Sequence, residues 1–174
     1  MGFYKNWIEK KELEGYKKNV NFKLVHDFNW GLEHLGIKSE GNPIDLLIKY
    51  NEDNVAKSKE YFVPVKLSEN EFKLSENNLT FRSTVNTGDN NNDEACFKYF
   101  PTKDKENVVI VIPHWIADGF KYDKIAKFIN LLGYSSIRMV LPYHDERGSF
   151  EKLNTTKMVS ANIGSTLIGI QQAV

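Results

Sequence analysis

The chain has 174 residues, 41% hydrophobic and 26% charged, which supplies one ordinary domain with a core and excludes a disordered or fibrous polypeptide. Its 23 basic and 23 acidic residues cancel, so charge gives no reason to expect nucleic acid or an anionic membrane as a partner. The single cysteine, Cys96, excludes an internal disulfide, and no apolar run reads as a signal peptide or membrane span, so a soluble cytoplasmic protein is expected.

Residues 1–60 read as a helical N-terminal region. Phe3, Tyr4, Trp7 and Ile8 have the spacing of one helix face, and Lys10, Lys11, Lys17 and Lys18 interleave with Glu9, Glu12 and Glu14 as on a solvated helix. A short aromatic segment, Asn29-Trp30-Gly31-Leu32-Glu33-His34-Leu35-Gly36, closes on glycine. Asn42-Pro43 then pairs a helix N-cap residue with proline at the first helical position, and Ile44, Leu47 and Ile48 continue on one face.

Residues 61–174 change period. Phe72 and Leu74, then Leu79, Phe81 and Ser83, alternate with polar residues around Ser75-Glu76-Asn77-Asn78, which predicts a β-hairpin. The run from Thr87 to Asp93 reads as a polar loop with nothing to bury, and Ala95 to Phe100 as a third strand. Within it Cys96 reads as a small buried hydrophobe rather than a reactive thiol.

Val108-Val109-Ile110-Val111-Ile112 is apolar without alternation, which predicts a strand covered on both faces. Tyr122, Ile125, Ala126, Phe128, Ile129 and Leu132 step as a helix ending at Gly133, and Ile137 to Leu141 form a second buried strand stopped by Pro142. Strand, helix and strand make a βαβ unit, so the fold class is α/β, with antiparallel strands feeding the start of a parallel sheet. Asn162 to Thr166 open a final helix with Ile163, Leu167, Ile170 and Val174 on one face. That helix shows no glycine or basic residue at its end, and a sheet of two parallel strands leaves an apolar edge at Ile137–Leu141, so the polypeptide is expected to be truncated relative to a longer one.

Chemistry in open α/β sheets sits beyond the carboxyl ends of the strands. Two loops qualify: Pro113-His114-Trp115-Ile116-Ala117-Asp118-Gly119 and Pro142-Tyr143-His144-Asp145-Glu146-Arg147-Gly148. Of the four histidines, His114 and His144 fall in these loops, while His26 and His34 lie in the N-terminal region without an evident partner. No glycine-rich loop follows either buried strand, which speaks against a nucleotide site, and His114 and His144 lack clustered ligands for a metal. No cofactor is expected.

The segment Val109-Ile110-Val111-Ile112-Pro113-His114-Trp115 resembles the α/β-hydrolase strand that ends in a His-Gly-X or Pro-Gly-Trp loop. Leu141-Pro142-Tyr143-His144-Asp145-x-Arg147 and Val159-Ser160-Ala161-Asn162-Ile163-Gly164-x-Thr166 are similar to successive segments of a bacterial esterase-like group related to dienelactone hydrolases, and Trp30-Gly31-Leu32-Glu33-x-Leu35-Gly36 to an N-terminal element of it. The resemblance implies an incomplete α/β-hydrolase fold: N-terminal helices, antiparallel hairpin strands and the first βαβ unit, stopping before the nucleophile elbow. It implies a serine hydrolase acting on a small acyl ester, with the Trp115 backbone N–H as an oxyanion donor and His114 standing where the family has glycine. His144, Asp145 and Arg147 match the family's substrate-side loop, where a loop-holding contact is the plainer role.

The family nucleophile lies in Gly-x-Ser-x-Gly, and no such pentapeptide occurs in these 174 residues. Ser165 beside Gly164 reads as a first-turn helix residue, and Ser149 after Gly148 also lacks the elbow pattern. The chain alone is therefore expected to be inactive. The alternative is a non-catalytic α/β module that binds a partner chain through its unpaired sheet edge.

Overall fold

The computed structural model describes residues 2–20, 27–38, 40–63, 65–104, 106–117, 119–149 and 152–174, so that His26 and Asp118 lie outside the described residues. In chain order it forms α1 (Gly2–Val20), a 3₁₀ turn at Leu32–Leu35, α2 (Pro43–Ala56), α3 (Ser58–Tyr61), β1 (Lys73–Ser75), β2 (Asn78–Arg82), β3 (Glu94–Phe100), β4 (Val108–Val111), α4 (Gly119–Leu131) and β5 (Ser135–Met139). Further 3₁₀ turns at Asp145–Gly148 and Lys152–Lys157 lead to α5 (Ile163–Ala173). The fold is mixed α/β.

The five strands make one sheet in the order β1-β2-β3-β5-β4. The expected hairpin is present: β1 and β2 pair antiparallel with Ser75 opposite Asn78, and Glu76 turns the corner at φ 53°. β3 pairs antiparallel with β2 on one side and with β5 on the other. β4 and β5 are parallel, joined through α4, as the βαβ pattern predicts. α4 gives way to a turn at Gly133, which adopts φ 96°.

Register and alternation decide what each face of β5 meets. Ser136 and Arg138 face α4: Ser136 Oγ donates to the Ala126 carbonyl at 2.9 Å, and the Arg138 guanidinium reaches Asp123. The opposite face carries Met139, which packs with Leu141, Tyr143, Met158 and Ala173 in a small core under the end of α5. β5 is thus covered on both sides.

Two expectations are corrected here. The edge strand is β4, not Ile137–Leu141, because the crossover inserts β5 between β3 and β4 and pairs it on both sides. Nor is β4 covered on both faces. Val109 and Val111 share the α4 face by register, whereas Val108, Ile110 and Ile112 point to a side that the core around Met158 does not reach; Ile110 is 64% exposed. On the other side of the sheet, Phe120, Phe128 and Leu131 are exposed on α4.

The N-terminal helices form as their patterns predict, but among the described residues they bury little. Asn42 caps α2 by accepting the Ile44 N–H at 3.0 Å, with Pro43 in the first turn, yet Ile44 and Ile48 stay exposed. Tyr4 and Trp7 of α1 stack on each other in the open. The Trp30–Gly36 segment behaves differently and docks on α5. Asn29 N–H donates to Ala161 O at 3.0 Å, Ile163 N–H to Asn29 O at 3.1 Å, and Gly164 N–H to Trp30 O at 3.0 Å. This approach requires glycine on both sides. A Cβ on Gly164 would lie 1.8 Å from Gly31 O, and one on Gly31, at φ 65°, would lie 1.9 Å from Asn162 Oδ1.

Candidate functional site

Because β4 and β5 run parallel, their carboxyl ends project the 113–117 and 142–148 loops from the same end of the sheet. One hydrogen bond joins them directly: Ile116 N–H donates to His144 Nε2 at 3.0 Å. His144 Nδ1 lies 2.7 Å from the Pro142 carbonyl oxygen. A carbonyl only accepts, so the proton sits on Nδ1 and the Nε2 lone pair takes the amide, which makes the ring neutral. His144 is 3% exposed. Burial is the main cause pulling its pKa below the usual 6.5, assisted by the Arg147 charge and opposed by the Pro142 carbonyl and Asp145.

The amide that His144 holds belongs to a strained residue. Ile116 has φ 61°, a conformation that a β-branched side chain rarely adopts. The left-handed residue of this loop is therefore Ile116, while His114 is not among the positive-φ residues. His114 instead places its ring against α4, with Nδ1 2.6 Å from Tyr122 Oη. Trp115 donates its indole N–H to the Thr155 carbonyl at 3.1 Å, tying the loop to the 152–157 turn. Among the described residues no acceptor takes the Trp115 backbone N–H.

Asp145 and Arg147 do not pair with each other. Asp145 is held by Nη1 of Arg138 at 2.9 Å, and Arg138 also donates from Nε to Asp123 of α4 at 2.5 Å. Arg147, 2% exposed, donates to Asn92 O from Nε (3.0 Å) and Nη2 (2.7 Å), and to Val140 O from Nη1 (3.2 Å). Its Nη2 also reaches Gln172 Oε1 of α5 at 2.5 Å. Asn92 Oδ1 in turn accepts the Tyr143 N–H at 2.8 Å, and Asp93 Oδ1 accepts from Thr87 and Gln172. The Thr87–Asp93 segment is thus no idle polar loop: Asn92 and Asp93 are fully buried, Asn92 bonds the 142–148 loop through its side chain and carbonyl, and Asp93 ties Thr87 to Gln172 of α5.

No protein-family model matches the chain, and no curated protein matches it. The residues themselves carry the functional argument.

The remaining candidates occupy structural positions. Ser165 lies in the first turn of α5, its N–H bonded to Asn162 Oδ1 at 2.8 Å and its hydroxyl to Lys157 O at 3.3 Å. Ser149 accepts from Asn91 Nδ2 at 2.9 Å. Cys96 is buried in β3, and burial, then the Glu146 charge, push its thiol pKa up, away from thiolate chemistry. Among the described residues no group of three or more His, Cys, Asp or Glu could hold a metal ion, and no helix is long and apolar enough to cross a membrane. A cleft of about 550 Å³ lies beyond Tyr143, lined by Asp27, Asn29, His34, Lys157 and Ser165 among others, but His114, Trp115 and Ile116 take no part in it.

Sequence reasoning brings His114, Trp115 and His144 to one end of the sheet, and the structure agrees. It misses Arg138, Asn92 and Ile116. Arg138 had a signal: one charged residue inside the apolar run Ile137–Leu141 needs charged partners, and both are partly buried aspartates.

Proposed function

We propose that this chain is the N-terminal part of a serine hydrolase of esterase type, with an incomplete α/β-hydrolase fold whose first strand-to-helix loop supplies one oxyanion donor. The observation that carries the reading is the Trp115 backbone N–H. It has no acceptor among the described residues, it sits beyond the end of a parallel strand, and the next amide is fixed by His144. In hydrolases of this type the oxyanion hole takes one N–H from the loop that links such a strand to its helix. The loop between β4 and α4 likewise links a strand to the helix that follows it, which supports the reading.

In this reading a serine from further sequence attacks the acyl carbon of a small ester. As the C–O bond forms, the carbonyl electron pair moves onto oxygen, where the Trp115 N–H offsets the growing charge. A histidine takes the serine proton and returns it to the departing alcohol, and water then releases the acid. His144 is not that histidine: its Nδ1 donates to Pro142 and its Nε2 accepts from Ile116, so both nitrogens are engaged. Its role, with Asp145 and Arg147, is to shape the loops.

The chain alone is expected to hydrolyse p-nitrophenyl acetate no faster than background and to take no label from a serine-directed fluorophosphonate. The coding DNA beyond Val174 is expected to supply Gly-x-Ser-x-Gly, and the longer product to be labelled on that serine. Downstream sequence without this motif, or stoichiometric labelling of Ser165, would overturn the proposal.

The exposed, apolar edge of β4 favours a second reading, a non-catalytic module that pairs with another chain there. Natural edge strands carry lysine, proline or a bulge against such pairing, and Val108–Val111 has none of these. Purification as a stoichiometric complex with another polypeptide supports that reading, and a stable monomer argues against it.

A further inference from the structure

Ile116 is held in the left-handed region with its N–H on a single acceptor, and that acceptor is titratable. We propose that His144 is a proton-operated latch on the 113–117 loop: the neutral ring fixes Ile116, and with it the Trp115 N–H, and the protonated ring lets them go. The proposal rests on the reading of this loop as the oxyanion loop and adds its regulation.

The geometry makes the latch two-valued. The ring is pinned at Nδ1 by the Pro142 carbonyl, so it presents Nε2 to Ile116 in either charge state. Neutral, Nε2 offers a lone pair to the amide. Protonated, it turns a second N–H toward the Ile116 N–H at a separation of 3.0 Å, which converts attraction into repulsion. A β-branched residue with positive φ has a ready relaxation once that bond is gone.

The surrounding charges do not rescue the protonated form. On its own loop the ring feels Asp145 and Arg147, of opposite sign. The Asp145 carboxylate is already engaged by Arg138 of β5, which also holds Asp123 of α4. On the facing loop and helix, His114 and Tyr122 bond each other. From the 152–157 turn, Lys157 lies 5.8 Å from the centre of the Tyr143 ring and pairs with Asp89. Because burial lowers the pKa of His144, the latch is closed at neutral pH and opens as pH falls below the usual value of 6.5. Its contribution to stability has the matching sign: complete above the unfolded value of 6.5, and lost as pH falls toward and through the folded-state pKa.

The test is NMR of the uniformly ¹⁵N-labelled chain between about pH 7.5 and pH 5, across the range where a histidine titrates. Imidazole nitrogen shifts report the tautomer and titration of His144, and the Ile116 amide reports exchange protection, corrected for the intrinsic pH dependence. The expected result is an Nδ1–H tautomer at high pH and a loss of Ile116 protection by about tenfold or more as the ring takes its proton. His144→Gln, which keeps an acceptor, is expected to protect Ile116 without responding to pH, and His144→Phe to leave it unprotected throughout. Titration of His144 with Ile116 protection unchanged would overturn the latch, as would full protection in His144→Phe. If either variant does not fold, the titration of the native chain decides. These readings follow the loop and not turnover, so a chain with no acyl-transfer role passes or fails in the same way.

Discussion

Arg147 directs its guanidinium at main-chain carbonyls and an amide rather than at a carboxylate. It binds Asn92 O, Val140 O and Gln172 Oε1, so one side chain ties the 87–93 loop, the end of β5 and α5 together. Burial pushes its pKa down to about 10, still far enough above neutral for the group to stay charged. Replacing it by methionine fills much of the volume but strands two carbonyls, Asn92 O and Val140 O, each worth about 1–3 kcal/mol when left unpaired. Arg147→Met is therefore expected to lower stability by about 3 kcal/mol or more, read as a fall in the urea midpoint with an unchanged m value. A loss under about 1 kcal/mol would show that the network is not what holds the loop. Arg147 was legible in the sequence as part of a distinctive loop, but Asn92 was not. A run of asparagines and aspartates reads as a turn, and only the arginine 55 residues later turns Asn92 into a buried anchor.

The strands and helices were legible where a local period or cap set them. The β1–β2 hairpin, the Asn42 cap of α2 and the parallel β4–α4–β5 unit all form where their patterns place them. Lateral position was not legible, because Val108–Val111 and Ile137–Leu141 have the same apolar character and only the crossover decides which lies inside. Similarly, the apolar stripe of α5 predicts its buried face poorly: Ile170 and Val174 are exposed, while Gly164 and Gly169 make the close contacts. The hairpin offers a direct test of local strain. Glu76 turns the β1–β2 corner at φ 53°, a conformation that costs a non-glycine residue about 1 kcal/mol. Glu76→Gly is expected to raise stability by about 0.5–1 kcal/mol in a denaturant titration, even though it removes a side chain. No gain would mean that the hairpin opens independently of the rest of the sheet.

Seen as a whole, the molecule is densely hydrogen-bonded at its polar centre and carries exposed apolar surface around β4 and α4. Val108, Ile110 and Ile112 lie on the face of the edge strand away from α4, and Phe128 and Leu131 of α4 are exposed as well, Leu131 to 84%. Such a surface promotes self-association. The double variant Ile110→Lys, Leu131→Lys is expected to shift the purified chain toward the monomer in size-exclusion light scattering, with thermal stability nearly unchanged. If the variant associates as the native chain does, the contact lies elsewhere. The contact between Asn29–Gly31 and Asn162–Gly164 has a different consequence, one of timing. At about 5–20 residues per second, a ribosome makes the second partner on the order of ten seconds after the first. Throughout that interval Trp30 and Leu32 have no α5 to dock on. Newborn chains of this protein therefore pass through a defined period in which an aromatic N-terminal segment is available to chaperones or to neighbouring nascent chains.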